Sequence, residues 1–600
     1  MHCLYNSNLA KDKRNLILAF ACHPPSSAFA KEDTVIELDP FVRVPRVAYF
    51  SMEIALAPDI PTYSGGLGVL AGDTLRTAAD LDLPMVGVTL ACKMGYLHQL
   101  IDPEGNQTER PDPWYPQLYA SSLGAKVAVL LEGREVWVSA WLYVLKGYGG
   151  KHQVPVVLLD TDLEENQPQD REITHYLYGG DLAYRLKQEA VLGIGGIRML
   201  QALGSHERAY HLNEGHSALL TLELLRRHAY AADEVRPGEL HYDIPEVRGL
   251  CNFTTHTPVE AGHDRFSYDL VQKILGEKYF DLELLKTLGG KDELNMTLLA
   301  LNLSEYVNGV SKKHEEVSEK LFPGYHVHAI TNGVHPFTWT SPPFARLYDE
   351  YIPSWCHEPE LLVRADRIPS DLLWQAHLLA KKRLVAYILE KTGVSLSLDL
   401  PIFGFARRMT AYKRPELIFS DIERLRGIAK KTPFQLIFAG KAHPHDQEGK
   451  ACIARVHQRL LELKDIIPGV YLPGYDMAMA ALMVAGCDVW VNTPLSPMEA
   501  SGTSGMKAAL NGVPQFSVLD GWWAEGCIEG GTGWAIGNGG EDGKEDGNSL
   551  YDKLENVILP LYHKDRDGWI AVMKETICKN GAFFNSTRMM RRYAAEAYLP

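Results

Sequence analysis

Short apolar runs recur along this chain, with helix-patterned stretches between them. "VPRVAYFSME" leads through a Gly-rich turn into "GVLAGDTLRTAADL", and "PMVGVTLA", "KVAVLLE", "VPVVLLD" and "AYHLNEGH" follow. This alternation leaves few folds open, because strands joined through helices pair in parallel and are covered on both faces. It predicts an α/β domain that binds ligands at the carboxyl ends of its strands. The pattern repeats after a break near Thr340–Asp371. The long amphipathic stretch "DLLWQAHLLAKKRLVAYILEKTG" ends in glycine, and "LPIFGFARR", "FQLIFAGKAH", "GVYLPGY", "CDVWVNTP" and "PQFSVLDG" come after it. Two α/β domains facing each other across a cleft are the expected architecture for 600 residues of this pattern.

A net charge of −15 argues against a nucleic-acid partner. No apolar run approaches the length of a membrane span. The nine cysteines form no C-x-x-C pair, as expected of reduced thiols in a cytoplasmic protein. His256, His216 and His335 with Cys251 make no zinc spacing, so no metal is expected. "KDKRNLILAFACHPPSSAFA" (Lys11–Ala30) has the outline of a signal peptide, but its apolar run is short. Residues 1–43 are therefore read as a disordered leader, with structured sequence beginning near Val44. "GIGGIR" (Gly193–Arg198) lies inside a helical pattern and is read as close helix packing, not a dinucleotide fingerprint. "GNGGEDGKEDGNS" (Gly537–Ser549) reads as an exposed loop, and "RMMRRYAAEAYLP" as helix.

Two stretches carry most of the chemistry. In "MEASGTSGMKAALNG" (Met498–Gly512) a loop of small residues follows a buried strand and opens a helix that stops at Gly512. Ser501, Thr503 and Ser504 can cap that helix, and Gly502 and Gly505 allow close backbone approach. Free N–H groups at a helix start suit a phosphate. Lys507 sits where the helix dipole opposes a cation, so it is either an exposed lysine or an amine held neutral for a phosphate-bearing aldehyde, pyridoxal phosphate. In "FARRMTAYKRPE" (Phe405–Glu416), Arg407, Arg408, Lys413 and Arg414 cluster after a strand's carboxyl end. In so acidic a protein that cluster reads as an anion site.

"EASGTSGMK", "YFSME", "GGLG", "RLKQE" (Arg185–Glu189), "LNEGHSA", "THT", "TNGV", "RR…YKR" and "LDG" occur in an order that resembles the α-glucan phosphorylases, the glycogen, starch and maltodextrin phosphorylase family. The resemblance runs from about Val44 onward, and the length is similar to the short bacterial and archaeal branch. It implies two Rossmann-like domains around a deep cleft, the GT-B type, with a C-terminal helix crossing back. Residues 44–340, 341–560 and 561–600 would be the N-terminal domain, the cofactor- and phosphate-binding domain and the returning helices. It also implies a homodimer.

The roles below are what the resemblance implies. Lys507 would be the Schiff-base lysine of pyridoxal phosphate. Gly502, Thr503 and Arg407 would hold the cofactor's phosphate, with Tyr475 and Trp339 near the cofactor. Arg408, Lys413 and the backbone of Gly65–Gly66, on the cofactor side, would hold substrate phosphate. Glu499, Ser501, Gly502, Asn332, Tyr412 and His256 would bind the transferred glucosyl unit, with the main-chain carbonyl of His256 supporting the developing sugar cation. The cofactor phosphate would exchange a proton with substrate phosphate, giving α-glucose 1-phosphate from an α-1,4-glucan with retention. Departures from the family pattern are "SGM" for Gly-Asn-Met, Asp476 for a frequent arginine, Thr410-Ala411 for a His-Glu pair, and Ala55 for a common tyrosine. The allosteric elements of the animal enzymes have no visible counterpart. A nucleotide-sugar glycosyltransferase of the glycogen synthase type is the nearest alternative, but it would not need Lys507. A silent glucan-binding protein and a generic aminotransferase fit less well.

Overall fold

The computed structural model describes residues 46–599 except 232, 234, 237, 238, 278, 541 and 542. The leader and signal-peptide outline lie outside the described residues.

Two sheets organise the chain. In the larger, the strands His328–Ala329, Tyr306–Gly309, Cys251–Thr254, Glu207–Asn213, Arg46–Phe50, Met85–Leu90 and Gln153–Asp160 run side by side and parallel. Arg134–Lys146 then pairs antiparallel with Gln153–Asp160, and Ser121–Ser122 and Val127–Leu131 pair with it in turn. The second sheet has six parallel strands, ordered Gly469–Leu472, Gln435–Ala439, Ile402–Ala406, Val489–Asn492, Gln515–Val518 and Gly533–Ile536. Its interior strands are buried along their whole length, as a sheet covered on both faces requires.

The helix Ser370–Thr392 ends with Gly393 at φ 74°, where a side chain would be strained. His377 and Lys381 on its buried face both contact the Asp488 carboxylate, at 2.9 and 2.8 Å, which ties the helix to the second sheet. "GIGGIR" lies within continuous helix, and a Cβ on Gly193 or Gly196 would collide with Leu220 or Phe50. Those glycines serve packing. The exposed-loop reading of 537–549 is corrected in part: the helix Asp546–Lys553 begins inside it, and the buried Asp546 pairs with Arg414.

The chain's last helical segment, Ser586–Tyr598, packs against the first sheet's layer. Tyr598 Oη lies 2.7 Å from His211 Nδ1, and Asn308 Nδ2 donates to Tyr593 Oη at 3.0 Å. Among the described residues the cysteines are free. No described helix is long and apolar enough to cross a membrane, and the described residues hold no cluster of potential metal ligands.

Candidate active site

Strand Val489–Asn492 delivers the chain into the loop that carries Glu499. The short helix Ser504–Ala509 then carries Lys507. Gly502 takes φ 77°, a turn that favours glycine. The capping expectation is corrected. Thr503 is the N-cap but makes no side-chain cap bond, and Ser504 Oγ accepts from the Trp490 indole at 3.0 Å. Gly505 is corrected too: its missing Cβ makes room for Gln515 and Trp522, not for a ligand.

Lys507 is buried, which excludes the exposed-lysine reading. Its Nζ lies 4.0 Å from the Trp339 ring centre. Burial pulls the amine down to about 8, against the opposing pull of Asp73. Asp73 sits within the helix Gly66–Asp80, where it accepts from Trp339 Nε1 at 2.8 Å and from His335 N at 3.2 Å. It is a site residue that sequence reasoning missed; its signal is one carboxylate inside an apolar helical pattern. His335 is satisfied structurally, bonded to Asp80 and Thr338.

The basic cluster divides. Arg407 and Lys413 both reach Glu499 Oε2, at 2.7 and 2.9 Å, and all three are largely shielded from water. Burial alone would raise the Glu499 carboxyl, but the two cations hold it below the usual range. Asp520, whose carboxylate accepts from Glu499 N at 2.8 Å, is pushed by burial up to about 6. Arg408 points instead across to the other sheet's layer, with Nη2 3.4 Å from Ser64 Oγ and near Gly65. Arg414 belongs to neither group. It donates to the carbonyls of Thr493 and Pro494 and pairs with Asp546, so its charge is spent on structure.

The helix Gly66–Asp80 starts without a side-chain cap. The Gly65 amide expected to hold substrate phosphate donates instead at 3.2 Å to Glu53, which also accepts from Ser64 N and Tyr178 Oη at 2.6 and 2.9 Å, so a phosphate there would have to take the amide from that carboxylate. Tyr178 holds φ 57° and Glu214 φ 74°, strained values for residues with side chains. The Glu214 carboxylate accepts from His256 N at 2.8 Å and Thr257 Oγ1 at 2.9 Å, shaping the His256 loop. Burial drives His256 down to about 3, so its ring is neutral and donates from Nε2 to Asn213 Oδ1 at 2.6 Å. Tyr178 is not legible as a site residue, since backbone strain leaves no mark in sequence, whereas Glu53 and Glu214 lie inside the runs "YFSME" and "LNEGHSA" with no role readable from them alone.

Asn332 Oδ1 is buried without a hydrogen-bond partner, as suits a ligand contact. Tyr412 packs its ring 4.3 Å from Lys413 Nζ, and the buried Ser501 accepts from Trp522 N through its carbonyl. Tyr475 is half-buried. Burial raises its phenol, with Tyr63 and Asp476 nearby and the Arg407 charge opposing. One departure gains a reason. Asp476 caps the helix Met477–Gly486, accepting from Met479 N at 2.8 Å. Ala55 is fully buried, and its carbonyl packs so closely on Gly72 that no side chain fits at position 72.

These residues fit pyridoxal phosphate on observations of this structure. Lys507 is a buried amine with a depressed pKa, and the helix that bears it starts uncapped. Arg407 keeps two buried donors, Nε and Nη1, without partners.

The fold and site thus define a two-sheet α/β protein with a buried amine and a buried cation cluster at its strand ends. Residues 263–529 match the sequence model of the carbohydrate phosphorylase family. The chain is 39% identical over 597 residues to a maltodextrin phosphorylase of Thermococcus litoralis, across 92% of this chain and 70% of that protein. It is 36% identical to a glycogen phosphorylase of Aquifex aeolicus, across 92% and 86%. It is 35% identical to one from Mycobacterium tuberculosis, across 92% and 71%. The chain belongs to the carbohydrate phosphorylase family.

Proposed function

We propose that this protein cleaves α-1,4-glucans from the non-reducing end by phosphorolysis, releasing α-glucose 1-phosphate with retention. The observation that carries the reading is the loop from Glu499 to Lys507. One end draws two buried cations onto a carboxylate, and the other presents a buried amine. Pyridoxal phosphate, when bound, supplies a phosphate that gives and takes a proton near neutral pH. Lys507 would hold the cofactor between Trp339 and the helix start. Arg407, with Gly502 and Thr503, would neutralise the cofactor phosphate, and Tyr475 would flank it. Arg408 and Lys413, with the Gly65–Gly66 turn, would hold substrate phosphate. Two like unit charges about 4 Å apart repel by roughly 4 kcal/mol at an effective dielectric of 20, and these cations would offset such a term between the two phosphates. Glu499, Ser501, Gly502, Asn332 and Tyr412 would seat the glucosyl unit against the His256 carbonyl.

On this reading residues 44–340 and 341–560 are two Rossmann-like domains of the GT-B type, and 561–600 pack back on the first. The protein would act in the cytoplasm on maltodextrin or glycogen and inorganic phosphate, as a homodimer. The relatives named above are called maltodextrin and glycogen phosphorylases, which supports this substrate class. The test is release of glucose 1-phosphate from maltodextrin with and without inorganic phosphate. Phosphate-dependent release is expected; none from folded, cofactor-loaded protein would refute the reading.

A further inference from the structure

A β-hairpin of the first sheet's layer reaches across to the second sheet. Its strands, His98–Ile101 and Gln107–Arg110, pair antiparallel and place Gln99 and Gln107 side by side. Both are buried, at 2% and 6% exposure. What covers them is the second sheet's loop ends. Gln99 Nε2 donates to the Gly440 carbonyl at 2.8 Å and to Gln107 Oε1 at 2.8 Å. Gln99 Oε1 accepts from Gly474 N at 2.8 Å. Gln107 Nε2 donates to the Ala442 carbonyl at 2.9 Å and to Glu109 at 2.6 Å, and its Oε1 accepts from Ala442 N at 3.0 Å. Every polar atom of the two amides is used. Such a network is geometrically unforgiving, because a shift that breaks one bond strands a buried polar group.

The segments held are those that position the cation cluster. Arg407 N donates to the Ala439 carbonyl at 3.3 Å and Met409 N to the Lys441 carbonyl at 3.0 Å, so residues 439–441 carry the backbone on either side of Arg408. Gly440 has φ 144°, and a Cβ there would lie 1.9 Å from the Arg407 carbonyl, so the two segments touch directly. Gly474 immediately precedes Tyr475. A rim of contacts nearer solvent surrounds the pair: Lys450 to Glu109 at 2.8 Å and Lys441 Nζ to the Leu97 carbonyl at 3.2 Å.

We propose that Gln99 and Gln107 form a positioning clasp, through which this two-stranded hairpin sets the placement of Arg407, Arg408 and Tyr475 and thereby the affinity for phosphate. The inference rests on the phosphate-site reading above. The two glutamines act through loop backbone and touch no substrate.

The test uses the full-length, cofactor-loaded protein and the double variant Gln99→Met/Gln107→Met, which keeps side-chain length and removes the amides. Inorganic phosphate and maltodextrin are titrated separately by calorimetry, and amide exchange is followed in residues 439–442 and 474–475. Arg408→Ala serves as the reference for lost phosphate binding, and Lys450→Gln as a rim control. We expect the double variant to weaken phosphate binding about tenfold or more, since small misplacements at a site are costly. Maltodextrin affinity should stay within about twofold, the two segments should exchange faster, and the rim control should match wild type. Faster exchange with phosphate affinity unchanged would overturn the positioning role and leave the hairpin as mere structure. Unchanged exchange and unchanged affinity would overturn the clasp altogether. If wild type bound no phosphate, or Arg408→Ala bound it equally well, the phosphate-site reading would fail first and this inference with it.

Discussion

Lys507 Nζ stands 4.0 Å from the centre of the Trp339 ring, and the Trp339 indole is pinned by a 2.8 Å bond to Asp73. The amine is thus held out of water, where burial brings it to about 8 from its ordinary 10.5. Below about pH 8 it is protonated in both the folded and the unfolded chain, and folding bears the whole cost of burying the charge, on the order of 3 kcal/mol. Between about 8 and 10.5 the folded chain releases the proton while the unfolded chain keeps it, so stability rises with pH. Lys507→Met should therefore abolish cofactor absorbance and activity. In cofactor-free protein at pH 7 it should melt above wild type, and the gap should close as pH rises past 10.5. Full phosphorolysis by this variant would end the cofactor assignment.

Glu499 stands between two buried cations, Arg407 and Lys413. Glu499→Gln leaves both unpaired, which costs roughly 3–5 kcal/mol for a buried pair. An anion bound among the cations replaces the lost charge. Inorganic phosphate should then raise the melting temperature of the variant more than that of wild type. Equal phosphate shifts in the two proteins would place the anion elsewhere.

Arg408 makes its polar contact across the gap, with Ser64 Oγ at 3.4 Å. No carboxylate neutralises it at ion-pair distance among the described residues, so its charge is available to a ligand. Arg408→Ala should lower phosphate affinity about 10- to 100-fold, the range of a charge-assisted hydrogen bond, and change glucan affinity little. Separate KM values for phosphate and maltodextrin measure this.

Much of this was legible in the chain. Parallel strands buried on both faces write near-continuous apolar runs, so "PIFGFA", "QLIFA" and "DVWVN" could be read directly. Lys507 stood out because a cation at a helix start needs a reason. The antiparallel Arg134–Lys146 strand does not stand out in sequence, because one face is partly wet and its pattern is mixed. Nor does the Gln99–Gln107 pair: two amides separated by a turn carry no signal until the partner loops from the other sheet are in place. The basic cluster read as one group in sequence, yet a left-handed backbone at Arg414, φ 43°, turns that residue away from Lys413.

Asp476 occupies a position where an arginine is frequent, and it caps a helix there by accepting from Met479 N. Asp476→Ala should cost about 1 kcal/mol in urea unfolding, the worth of an N-cap, without changing cofactor absorbance. Loss of the absorbance instead would make Asp476 part of the cofactor site.

Arg588, in the terminal helix Ser586–Tyr593, donates to the carbonyls of Thr331 at 2.6 Å and Asn332 at 2.9 Å. Burial lowers its guanidinium to about 10, so it stays charged at neutral pH. Thr331 Oγ1 in turn donates to Glu525 from the second sheet's side, at 3.0 and 2.9 Å from its two oxygens. The peptide that carries Asn332 is therefore gripped from both directions while its Oδ1 is left for a ligand. A planar fork can serve two carbonyls at once, and an ammonium on a flexible stem cannot hold both in that geometry. Arg588→Lys should lose about 1.5–3 kcal/mol for the charged hydrogen bond it cannot make. Its KM for maltodextrin should rise while its KM for phosphate holds, the reverse of Arg408→Ala. A variant destabilised by that amount with both KM values unchanged would show that the grip on the Asn332 peptide serves the fold alone.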